Sequence, residues 1–142
     1  MRKVALAVIV VLLAAAALLV MTHYSRAQAL YVGAALVIVG LPLLVLARVQ
    51  LGKSFSIGPK AKALVTHGLY SKIPHPMFTF LDVALLGVVI ALGRPWLVGA
   101  WLALVAVHAL ASRREARVLE KAFGDAYREY RARTWWLETS AR

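Results

Sequence analysis

MFTFLDVALLGVVIALGRPWLVGAWLALVAVHALA, residues 77–111, decides the fold of this chain. Two apolar runs, 77–92 and 96–111, of 16 residues each, are separated by Gly93-Arg94-Pro95 and interrupted only by Asp82 and His108. Gly and Pro in that order mark a turn. The stretch is therefore expected to be a tight helical hairpin whose ends run into flanking structure. Polar blocks stand on both sides of it, HGLYSKIPHPMF at 67–78 and REARVLEKAFGDAYREY at 114–130. The blocks hold two of the four histidines and three of the five tyrosines, and five of the six acidic residues lie at or beyond residue 115. Chemistry-capable side chains are thus concentrated at the two ends of an apolar hairpin.

Upstream, Val4–Met21 is 18 residues without a charge and Ala29–Ala47 is 19. Each is long enough for a bilayer core of about 30 Å. The chain is 62% hydrophobic, against about 45–50% in soluble domains, and 142 residues make one domain. The expected fold is all-α: an integral membrane bundle of four transmembrane helices, at 4–21, 29–47, 77–92 and 96–111, with a C-terminal cytoplasmic amphipathic helix. An uncleaved first helix is preferred to a signal peptide, because its apolar core exceeds the roughly 7–15 residues of such signals. The absence of cysteine removes disulfides, thiolate metal sites and a cysteine nucleophile.

Lys and Arg counts set the expected orientation. The N-terminus, the 48–76 segment and the tail after 111 carry 15, against two for the short turns at 22–28 and 93–95. By the positive-inside rule the rich segments, and both termini, belong in the cytoplasm, with the bacterial inner membrane as the expected site. The net charge of +11 then reflects topology and lipid headgroups, and no nucleic-acid partner is expected for want of a binding motif.

A 48–76 loop is too long to be structureless, since such loops become uncommon beyond about 12–15 residues. Ala61–Val65 is expected to form one helical turn at the headgroups, with Lys60 and Lys62 reaching outward. Pro74-His75-Pro76 restricts the backbone around His75. This histidine is either a ligand contact or a residue that merely starts a helix at Pro76. Beyond the hairpin, Ala116, Leu119, Phe123, Ala126, Tyr127 and Tyr130 recur at helical spacing. Gly124 inside that stripe marks a break or a close approach, and Trp135-Trp136 fit an interfacial anchor.

GLYSKIPHPMF resembles the Gly-x-Tyr…Arg-His-Pro-x-Tyr signature of the isoprenylcysteine carboxyl methyltransferase and phospholipid methyltransferase superfamily. EARVLEKAFGDAYREY resembles its Glu-Glu-x-x-Leu-x-x-x-Phe-Gly-x-x-Tyr-x-x-Tyr block, and LGKSFSI and ALVTHG are similar to bacterial members. The resemblance implies S-adenosylmethionine as cofactor, with S-adenosylhomocysteine as product, bound between segments 48–76 and 112–134. From the first motif it implies Gly68, Leu69, Tyr70, Lys72, His75, Pro76 and Phe78 as cofactor-binding residues. From the second it implies Arg113, Glu115 and Leu119, and His75 with Glu115 as the catalytic pair if the acceptor must lose a proton. This chain departs from the pattern at Pro74, where the family has arginine, at Phe78 for the second aromatic, and at Ala116 for the second glutamate. Lys72 or Arg113 is then expected to hold the cofactor carboxylate.

Other ionisable residues have competing readings. His67 is expected to pack or meet headgroups, and His23 to lie in an interfacial loop. His108 is nearly on the face of Glu115, and pairing with Asp82 across the hairpin stands beside a purely structural role for each. The four histidines lack metal-ligand spacing, so no metal is expected. The implied function is methyl transfer to a membrane-associated or apolar acceptor entering from the lipid bilayer, with a carboxylate as one candidate. The alternatives are a phospholipid-amine or small-thiol methyltransferase of the same fold, and a non-catalytic membrane protein with a decayed site. Oligomeric state is not legible.

Overall fold

The computed structural model describes residues 2–52, 64–73 and 75–134. Among these there are four α-helices and one short 3-10 turn, and no strand: α1 (Arg2–His23), α2 (Arg26–Leu51), the turn Gly68–Ser71, α3 (Pro76–Leu92) and α4 (Trp96–Arg133). Helices α1, α2 and α4 are long and apolar enough to cross a membrane; α3, at 17 residues, is shorter. The expectations for Pro74, for the turn at Ala61–Val65 with Lys60 and Lys62, and for Trp135-Trp136 fall wholly or mainly outside the described residues. Leu64 and Val65 themselves carry no regular structure.

Local chemistry explains the helix boundaries. Ser25 caps α2 in a reciprocal box: the Gln28 amide donates to the Ser25 hydroxyl at 3.3 Å, and the Ser25 amide donates to Gln28 Oε1 at 3.0 Å. Gly93 ends α3 in the left-handed conformation, φ 60°, with its amide bonded to the Ile90 and Val89 carbonyls. The Arg26 side chain lies against Gly93, so the two short turns share one end of the bundle.

The tightest packing is between α2 and α3. A Cβ on Gly33 would collide with the Gly87 carbonyl oxygen, and one on Gly87 would lie 2.6 Å from the Gly33 carbonyl oxygen. Gly40 meets Ala84 in the same way, at 2.9 Å from its nitrogen. Small residues that bring two backbones together replace the hydrophobic drive that lipid removes. A second seam is filled by Ala14 and Ala17 of α1, Leu86 and Ile90 of α3, and Val98 and Trp101 of α4. There the Trp101 indole donates to the Asp82 carbonyl at 2.9 Å and ties α4 to α3. Val11, Leu12, Tyr31, Ile38, Val45 and Val49 face outward, as lipid-facing residues do.

Helix α4 is not continuous. Gly124 has φ 52° and ψ −121°, outside helical space, which the sequence anticipated as a break. Arg128 Nε then reaches Glu120 Oε1 at 3.1 Å and its Nη1 reaches Asp125 at 3.1 Å. Residues eight apart on a straight helix stand about 12 Å apart, so the segment after Gly124 turns back. It lays Tyr127 and Tyr130 against Ala116, with Leu64, Leu119 and Phe123 packed beside them.

Candidate active site

At the end of the bundle opposite the two short turns, the 3-10 turn is fastened from two directions. Gly68, at φ 60°, lets the backbone approach Gln50 so closely that any Cβ there would strike the Gln50 amide. The Leu69 amide donates to Gln50 Oε1 at 2.7 Å. From the other side the Tyr130 hydroxyl donates to the Tyr70 carbonyl at 2.7 Å, a buried bond. Tyr70 is itself buried. Burial, and next the charge of Glu115, push its phenol up to about 12, against a smaller opposing pull from Arg48.

His75 sits at the N-cap position of α3 with φ −130° and ψ 60°, yet its side chain makes no capping bond. Its Nδ1 instead lies 3.1 Å from Glu115 Oε2 on α4. The His75 side chain is 7% exposed and that of Glu115 is 43% exposed, so a buried imidazole is coupled to a carboxylate that still meets the surroundings. Pro76 behind it is fully buried, and Thr79 Oγ1 donates to the His75 carbonyl at 3.2 Å. These contacts hold the imidazole where α3 begins.

A second histidine–carboxylate pair lies further along the hairpin. His108 Nδ1 is 2.6 Å from Asp82 Oδ1, with both side chains largely enclosed, at 13% and 18% exposure. Of the two readings open for these residues, pairing across the hairpin is the one the structure shows. His75 and Asp82 are seven residues apart on α3, as are His108 and Glu115 on α4, which is about 10 Å along an antiparallel hairpin. Phe78 connects the two levels: its ring centroid is 6.3 Å from that of His75 and stacks at 5.0 Å on that of His108.

The sequence-derived candidates divide into groups. His75, Glu115, Pro76, Phe78 and Tyr70 are brought to the α3–α4 mouth, and Gly68 and Leu69 form the turn beside it. Leu119 packs in the apolar cluster under Tyr127. Lys72 and Arg113 are exposed. His67 is exposed and caps the 3-10 turn only through its backbone, and His23 bonds the Thr22 hydroxyl at the end of α1. Among the described residues no cluster could hold a metal ion. Sequence reasoning missed Gln50, a neutral side chain at the end of an apolar run. The only signal for it was a lone amide following Arg48 and Val49, just before Gly52.

Helices of this length and apolarity define an integral membrane protein of the all-α class. The chain belongs to the phospholipid methyltransferase family, whose model matches residues 28–126, more than half of its length. Family membership makes it a membrane methyltransferase by class. The matched stretch takes in α2 from Gln28 onward, the first polar block, the hairpin and the second block as far as Ala126, and leaves out α1. No curated protein and no solved structure matches the chain.

Proposed function

We propose that this protein transfers a methyl group from S-adenosylmethionine to a membrane-borne acceptor at the mouth between α3 and α4. The observation that carries the reading is the His75–Glu115 pair, 3.1 Å across that mouth with its carboxylate half exposed. The donor set fits the cofactor's chemistry. Glu115 offers a carboxylate for an ammonium or ribose hydroxyls, Lys72 and Arg113 offer cations for a carboxylate, and Tyr70 and Phe78 offer aromatic surface for an adenine. Bound there, the cofactor supplies an electrophilic methyl on a sulfonium.

The chain's own residues do the rest. Gln50 and Tyr130 fix the 3-10 turn, Pro76 and Thr79 fix His75, and the packed helices exclude water, so alignment rather than covalent chemistry is the protein's contribution. In this reading all four helices cross the bilayer. The 48–76 loop, the tail and both termini face the cytoplasm, in keeping with the charge count, and the compartment is the bacterial inner membrane. The acceptor arrives laterally from the lipid.

Calorimetry with S-adenosylhomocysteine tests the reading. Wild type binds, and His75→Ala and Glu115→Ala each weaken binding by about 1–3 kcal/mol, the cost of stranding a charged or buried polar partner. Absence of binding by a folded wild type would overturn it.

A further inference from the structure

The Asp82–His108 pair is distinct from the His75–Glu115 pair and stands in the apolar part of the hairpin. An ionisable pair costs free energy there, and ionisable residues at that depth mark function by default. Trp101 already ties α3 to α4 at this level through the Asp82 backbone carbonyl, so the carboxylate is not required as the fastening. The carboxylate at 2.6 Å from Nδ1 is the arrangement that fixes an imidazole's tautomer and orientation, as in carboxylate–histidine base pairs generally. With Asp82 accepting, Nδ1 carries the hydrogen and Nε2 keeps its lone pair. Asp82 is the ionisable side chain bonded to His108. The bond of His108 runs through Nδ1, and no buried side-chain nitrogen or oxygen among the described residues lacks a partner, so an unbonded Nε2 is not sealed in. Phe78 stacks on the same imidazole and reaches His75 with its other neighbour contact, which places His108 on the site's face of the hairpin, one level deeper in the membrane.

We propose that Asp82 and His108 form a general-base dyad that removes a proton from the methyl acceptor inside the membrane. The acceptor's X–H bond breaks, its electron pair stays on X as the nucleophile, and the hydrogen becomes the Nε2–H of an imidazolium whose charge Asp82 matches. No oxidant, reductant or further reactant is needed. A dyad of this kind serves an acceptor that brings a proton into the site, such as the ammonium of a lipid, and is idle for a carboxylate, which arrives already ionised. This inference rests on the methyltransferase reading above and assigns the proton-removing residues of that same site.

The test uses the full chain in nanodiscs containing phosphatidylethanolamine, with S-adenosylmethionine added. Wild type methylates the lipid amine. His108→Gln and Asp82→Asn lower kcat by roughly 10²-fold or more, the usual contribution of a general base, while cofactor affinity by calorimetry stays within about twofold. Asp82→Glu, which keeps a carboxylate, restores part of the rate. Independently of turnover, nitrogen NMR of labelled histidines shows His108 as the Nδ1–H tautomer in wild type and a tautomer mixture in Asp82→Asn. A His108→Gln rate within about threefold of wild type overturns the dyad. So does methylation of a farnesylated carboxylate in place of the amine, with the methyltransferase reading left standing. Failure of wild type to bind the cofactor at all removes that reading and the dyad with it.

Discussion

Tyr130 donates its hydroxyl hydrogen to the backbone carbonyl of Tyr70 at 2.7 Å, joining residues sixty apart in the chain. The bond exists because Gly124 turns the end of α4 back on itself. It couples the C-terminal block to the loop before the hairpin, on the far side of His75 and Glu115.

Removing that hydroxyl strands a buried carbonyl. Tyr130→Phe is expected to cost about 1–3 kcal/mol of stability, read as a lowered midpoint in detergent-titrated unfolding, and to weaken S-adenosylhomocysteine binding as the Tyr70 turn loosens. A variant as stable as wild type with unchanged affinity would show that the bond positions nothing.

Tyr70 should titrate late. Its pKa is raised from 10.0 to about 12 in the folded protein, so the folded state holds the phenolic proton more tightly than the unfolded chain. The associated stability is complete below pH 10 and is lost as pH rises through about 12. Absorbance of phenolate followed against pH should show a late step from Tyr70 and Tyr130, both raised chiefly by burial, with Tyr70→Phe removing the earlier part of it. Ionisation of every tyrosine near pH 10 would contradict the burial.

The α2–α3 contact predicts a sharp contrast between two glycines. Gly87→Leu forces side-chain atoms into the Gly33 carbonyl and should destabilise by about 1–3 kcal/mol or more. Gly99→Ala meets nothing within 4 Å, and should be neutral or stabilising by up to about 1 kcal/mol from helix propensity. Unfolding curves in one detergent compare them directly; equal effects would mean that the backbones do not touch.

Lys72 and Arg113 should act on the cofactor through charge. Lys72→Ala or Arg113→Ala is expected to weaken S-adenosylhomocysteine binding by about 0.5–1.5 kcal/mol at low salt and by less at high salt. Calorimetry at two ionic strengths checks this. Equal losses at both would point to lost packing instead of a screened contact.

Much of the architecture was legible because lipid imposes a simple pattern. The runs at 4–21, 29–47 and 77–92 fall inside α1, α2 and α3, the first two extended by a few flanking residues that a hydropathy count omits and the third by Pro76 alone. The fourth run became a helix reaching Arg133 because Arg113–Lys121 continue the helical spacing after apolarity ends. Gly124 was readable as a break. The direction of the chain after it was not, since Arg128 reaching back to Glu120 is a tertiary outcome. Of the candidate site, His75 and Glu115 were singled out from the family motifs, and pairing of Asp82 with His108 was one of two readings their positions allowed. Gln50 was invisible because nothing in its neighbours declares that a loop amide nineteen residues away will need an acceptor.

The glycine contact between α2 and α3 also decides where the bundle can give. Two helices touching backbone to backbone have no side-chain layer to deform and behave as one stiff plate. Helix α4 meets α3 more sparsely, through Trp101 and the two histidine–carboxylate pairs. Motion that parts the bundle therefore concentrates on the α3–α4 seam, and whatever slips in from the lipid must first loosen the same polar contacts that would act on it. Admission and reaction share a doorway, so a variant that weakens either pair should also change how readily the protein opens.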